Sequence, residues 1–248
     1  MTWPRLVRAE IRKLSTTKMP WGFLIILVII SATTATAVIV GEDMDGTKGF
    51  IATAADQQSL MAFGANAMMI AGLFGAIAVA REYGHGTVVP TFLAAPRRHR
   101  AVLAQYTAIA LAGGLLGLVG ATLSAVVVAI SVPIVDYDFL VSAADLTQVL
   151  AASTFAGAAG ALLGAGLGAV VRNTGGAVTA AVLLLIIVPP IVVQLASQAA
   201  DWVPSVLANV LSGVAEQPDL LSALAALAAW GLIPAAIGLV AVQRRDVV

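Results

Sequence analysis

His85 and His99 are the only histidines in the chain and stand fourteen residues apart in one short segment. A metal ion would find two imidazoles there and no third ligand, since the chain has no cysteine and no H-E-x-x-H pair. Both read as solvated side chains, and no metal site is expected. Ser31, Ser124 and Ser153 lie in strongly apolar stretches with no histidine near enough to activate a nucleophile. No G-x-x-x-x-G-K-[ST] phosphate loop occurs, so this chain is not expected to hydrolyse ATP. With no catalytic residue in view, the remaining chemistry is recognition. It points to Arg81–Arg100, "REYGHGTVVPTFLAAPRRHR", which holds both histidines and four of the 13 Lys and Arg residues.

The rest of the sequence explains why that cluster stands out. Its 248 residues are 60% hydrophobic and 10% charged, with a mean hydropathy of +0.99. A soluble domain carries about 25% charged residues. A helix needs about 20 mostly apolar residues to cross the hydrocarbon core, and six segments qualify: about 21–40, 60–80, 102–132, 149–171, 175–195 and 220–242. No charged residue falls inside them. The first ends near Ala35-Thr36-Ala37, which resembles a signal-peptide cleavage site, but its apolar run exceeds the usual length and reads as an uncleaved span. With the N-terminus in the cytoplasm, twelve of the 13 Lys and Arg residues fall inside and ten of the 13 Asp and Glu residues outside. That bias predicts both termini in the cytoplasm.

The fold class expected is an all-α membrane protein forming one transmembrane domain over 1–248. Residues 1–20 are expected to form a basic amphipathic helix on the membrane surface, with Arg5, Arg8, Glu10, Arg12 and Lys13 at the interface. Pro20 is expected to end that helix. The connection at 41–59 reads as plain solvated loop. Residues 197–219 are apolar enough for a short helical segment on the outer face, which a turn at Asp201, Trp202 and Pro204 could start. Gly160, Gly164 and Gly168, like Gly113 and Gly117, recur every four residues and predict close helix packing within the chain. Pro189-Pro190 should kink or break the fifth span. A substrate path would be lined by Phe63, Asn66, Met68, Met69 and Gln194.

In the 81–100 segment, the glycines of "YGHG" allow a sharp change of direction. An apolar stretch containing Val88, Val89, Phe92 and Leu93 follows, bounded by Pro90 and Pro96, and then the basic Arg97, Arg98 and Arg100. An apolar knob with a charged rim suits a protein partner. The spans hold no ionisable group for ion coupling, so if the chain moves something, the energy comes from elsewhere.

The order Glu82, Gly86-Thr87, Pro96, Arg97–Arg100 resembles the cytoplasmic loop of bacterial ABC transporter permeases of the type-2, exporter class. Ala9, Glu10 and Lys13 are similar to that family's A-E-x-x-K-like opening, and the six-span layout matches over essentially the whole chain. The resemblance implies a multi-pass subunit of the bacterial inner membrane that pairs with a second copy or a homologous permease. It also implies two cytoplasmic ATPase subunits, with ATP and Mg bound there and no cofactor in this chain. The 81–100 segment would be the coupling loop, with Val88 to Ala95 in contact and Glu82, Arg97, Arg98 and Arg100 framing it. A lipophilic drug, antibiotic, peptide or lipid is the implied cargo. The alternative is a non-transporting membrane scaffold that holds a cytoplasmic partner. No nucleic acid is expected to bind.

Overall fold

The computed structural model describes residues 3–43, 49–87 and 98–244, which are helical throughout their length apart from short turns. The helices are α1 (Trp3–Ser15), α2 (Met19–Asp43), α3 (Ala54–Ala65), α4 (Ala67–Gly84), α5 (Arg98–Ile134) and α6 (Ala143–Val171). Next comes a composite of α7 (Thr174–Val182), a π-helical turn (Leu183–Ile187) and α8 (Val188–Leu195). The short α9 (Ser197–Ala200) and α10 (Pro204–Leu211) precede α11 (Leu220–Arg244). Six helical segments are long and apolar enough to cross a membrane: α2, α3–α4, α5, α6, α7–α8 and α11. The chain is a multi-pass membrane protein.

Packing sorts the spans into a centre and a periphery. The spans α3–α4, α5 and α6 bury half or more of their apolar windows, whereas α2, α7–α8 and α11 bury less than a third. Helix α6 is the axis, flanked by α4, α5 and α11. Its glycines explain how. Gly160, Gly164 and Gly168 lie against the backbone of Met68, Gly72 and Ala76 on α4, one turn apart on each helix. Gly157 lies against Gly113 on α5, and Gly231 of α11 faces Ala159. Lipid offers no hydrophobic drive for helix association, so small residues that let backbones touch supply the packing instead. The four-residue glycine spacing is thus used within the chain, as its sequence predicts. Side-chain packing takes over on α2, where the Phe23 and Phe74 rings meet edge-on at 5.4 Å.

Two groups of residues mark the ends of the bundle. Leu14, Tyr83, Val102, Ala169 and Val242 pack together, which gathers the tips of α1, α4, α5, α6 and α11 at one end. Arg81, Arg98, Arg172 and Arg244 belong to this basic end. Val38, Ile51, Met61, Val132, Val141 and Val149 pack at the other, acidic end.

Three expectations need correction. Pro20 does not end α1; it sits in the first turn of α2, where its missing N–H is not needed. The α1 chain stops earlier because Ser15 and Thr16 hydroxyls donate to the Arg12 carbonyl and the Thr17 hydroxyl to the Leu14 carbonyl. The second span is not one helix. Asn66, at φ 40° and ψ 33°, adopts the left-handed conformation and divides α3 from α4. Asparagine is among the few residues other than glycine that visit this region routinely.

The third correction concerns 41–59, of which 44–48 lie outside the described residues. The remainder is not plain solvated loop. Ile51 is fully buried, and Thr53 and Asp56 form a reciprocal capping box that starts α3. Gln57, also fully buried, donates its amide to the Ile51 and Asp138 carbonyls and accepts from the Leu140 N–H. Gln57→Leu would strand these three backbone groups. Each buried group left unpaired costs about 1–3 kcal/mol, so the thermal midpoint should fall well below that of Gln58→Leu, which loses one such bond, to Ser212.

The fifth span also differs in detail. Pro189-Pro190 distort the helix through the π-helical turn just before them, and the helix continues to Leu195.

Candidate functional site

Helix α1 alternates basic and apolar residues so that Leu14 packs into the bundle while Arg5, Arg8 and Arg12 stay exposed. Lys13 takes a different course. Its Nζ lies 2.9 Å from Glu10 Oε2, one turn back on α1, and 2.7 Å from Glu82 Oε1 in the last turn of α4. Glu82 is only 7% exposed. The structure therefore joins two residues of the α1 interface to Glu82, at the root of the expected coupling segment. Burial is the main cause that pushes the Glu10 carboxyl up, with the neighbouring Lys13 only partly opposing it. Burial works to lower the Lys13 ammonium, yet the Glu82 and Glu10 carboxylates outweigh it and hold its pKa above the ordinary value.

Beyond Glu82 the chain turns away from α4. His85 Nδ1 lies 2.8 Å from the Arg81 carbonyl oxygen, the Thr87 hydroxyl donates to the Glu82 carbonyl, and Gly86 adopts φ 68°. Gly86 thus provides the change of direction that "YGHG" predicts, while Gly84 remains helical. Val88, Val89, Phe92, Leu93, Pro96 and Arg97 lie outside the described residues. Arg98 and Arg100 are exposed at the start of α5. Nearby, the Arg172 guanidinium sits 5.1 Å from the centre of the Tyr83 ring, so the end of α6 also meets the root of this segment.

A second feature lies at the break in the second span. A cavity of about 300 Å³ is lined by Phe63, Asn66, Met68 and Met69. Leu185 and Ile186 of the π-helical turn and Pro189-Pro190 line its other side. Four of the five expected path residues thus share one cavity. Gln194 does not line it; it lies a turn beyond Pro190 on the exposed part of α8. The polar lining comes from Asn66, Ser153, Ser205, Asn209 and Ser212, all neutral.

The last three of these residues escaped the sequence reading, although a signal for them exists. Ser205, Asn209 and Ser212 recur at helical spacing opposite the buried Leu207, Val210 and Leu211. Irregular backbone at membrane depth is tolerated where protein or a wet cavity satisfies the freed groups. Here the Asn66 N–H still donates to the Phe63 carbonyl, and the Asn66 carbonyl accepts from Ile70.

No model of a known protein family matches the chain, and no curated protein does. No group of three or more His, Asp or Glu that could hold a metal ion occurs among the described residues.

Proposed function

We propose that this chain is the membrane subunit of an ATP-driven exporter of the type-2 ABC permease class. In this reading it works as a pair in a bacterial inner membrane, with the basic end inward and two separate ATPase subunits docked below. ATP and Mg are held by those subunits. The observation that carries the reading is the cavity where a broken span meets a π-distorted one. In secondary transporters, discontinuous helices form the substrate site, and here a broken helix and a π-distorted one line one cavity in a similar way. No ionisable side chain lines the cavity to take up and release a proton, and in this reading the work comes from the ATPase subunits.

The Lys13–Glu82 contact supports the route by which that work would arrive. A push on the 85–97 segment acts at the end of α4 and, through Lys13, on α1 as well. Met68 and Met69 line the cavity beside Asn66, which favours a lipophilic cargo with a neutral polar group.

The test is to purify the tagged protein after mild solubilisation, identify what accompanies it and assay ATP hydrolysis. A nucleotide-hydrolysing subunit should accompany the wild type and be lost, by at least about tenfold, from R97E/R98E/R100E, since each removed contact of about 1.4 kcal/mol is a tenfold change in affinity. Recovery of a partner without hydrolysis would favour the scaffold instead. Absence of any ATPase from the wild type would sink the exporter reading.

A further inference from the structure

Two depressions meet on the flank of α1, and neither belongs to the cavity or to the 81–100 segment. The first is an apolar groove of about 370 Å³ between α1, α2, α4 and α5. Phe74, Ala108 and Leu116 form its buried floor, and Leu111 and Leu115 its exposed rim. The second is open and basic, with Arg5, Arg8 and Arg12 along one face of α1. Ile11 and Ser15 line both, so the two are continuous. Among the described residues, the ion pairs of this helix run from Lys13 to Glu10 and Glu82, and none engages the three arginines.

We propose that this composite surface is a binding site for one anionic phospholipid, with its phosphate on Arg5, Arg8 and Arg12 and one acyl chain in the groove. Guanidinium forks match phosphate oxygens two at a time, and residues 5, 8 and 12 share a helix face. Length fixes the rest of the ligand. From Ala108 to Val119 the groove follows twelve residues of α5, eleven rises or about 16.5 Å, close to the hydrocarbon depth of one leaflet, about 15 Å. A free phosphate would leave this groove unused, and a zwitterionic lipid would bring its own cation to the arginines. Selectivity therefore resides in the head group and residence in the chain. The site requires only that the spans cross a membrane, and it stands whether or not the chain transports anything.

The full-length protein, in nanodiscs and then released for native mass spectrometry, is offered phosphatidylglycerol and phosphatidylcholine with identical chains in equal amounts. One retained phosphatidylglycerol is expected, preferred by about tenfold or more, falling below about twofold in R5Q/R8Q/R12Q. Ala112→Phe, which fills the groove without altering charge, should also release the lipid. Leu115→Phe on the rim serves if that variant does not fold. Lys18→Gln, outside both depressions, should retain the preference. Equal retention of both lipids by the wild type overturns the proposal. So does full retention by the groove-filled variant, or displacement by inorganic phosphate, since either means that the arginines hold an anion without the chain.

Discussion

Gly164→Val is expected to leave no folded protein after detergent extraction. A Cβ at this position would run into the Gly72 carbonyl and stand 2.7 Å from the Ala76 nitrogen, both backbone atoms of α4. Overpacking that side chains can absorb by changing rotamer costs about 1–3 kcal/mol. Here no side chain is in the way, so α4 and α6 must separate along the whole ladder of Gly160, Gly164 and Gly168. The control is Gly22→Val on α2, where nothing lies within 4 Å of a built Cβ. That variant should elute and melt as the wild type does. Equal yields and melting profiles for the two variants would show that the α4–α6 contact is not what holds the bundle.

Lys13→Glu is expected to detach α1 from the end of α4. The substitution removes the cation between Glu10 and Glu82 and puts a third carboxylate in its place. Removing one partner of a buried pair costs about 3–5 kcal/mol, whereas exposed pairs contribute about 0–1. The Lys13 side chain is 33% exposed and that of Glu82 9%, so Lys13→Met should fall between these limits, at about 2 kcal/mol. The charge reversal should cost more and expose the Thr16–Lys18 connection to protease. Glu82→Lys in the reversed background should recover part of the loss.

The pH dependence has a defined sign. The raised Lys13 pKa stabilises the fold at every pH below the ordinary value of 10.5, and that contribution is lost as pH rises through the raised value. For Glu10 the folded state favours the protonated form, so its contribution is complete below 4.5 and lost as pH rises through its raised value. Glu10→Gln should therefore be mild near neutrality, because it replaces a carboxylate whose charge burial already opposes. Melting temperatures across the alkaline range would check the sign for Lys13, and a series rising from pH 4.5 the sign for Glu10.

The spans were legible because hydropathy over twenty residues is a bulk property, and the glycine spacing predicted close packing within the chain. Asn66 was visible as a polar residue but not as a break, since one residue in a left-handed conformation leaves the hydropathy profile intact. Ile51 and Gln57 look like loop residues until 138–141 arrive to cover them, 81 and 83 positions away along the hydrogen-bonded pairs. Lys13 and Glu82 are likewise remote in sequence. Their types suggested an interface and a loop root, and only the fold makes them one contact. The stripe of Ser205, Asn209 and Ser212 was readable from helical spacing, but the apolar residues between them dominated the segment.

The seam between α4 and α6 has a mechanical consequence. Where backbones touch through glycine, no rotamers exist to rearrange, so the seam cannot slip by small increments; it holds register or parts altogether. The two helices should then behave as a single stiff spar. Compliance is left to Asn66, which joins α3 to the spar, and to the π-helical turn between α7 and α8, both of which border the cavity. A load applied at Glu82 would travel the spar undiminished and be spent as bending at those two joints.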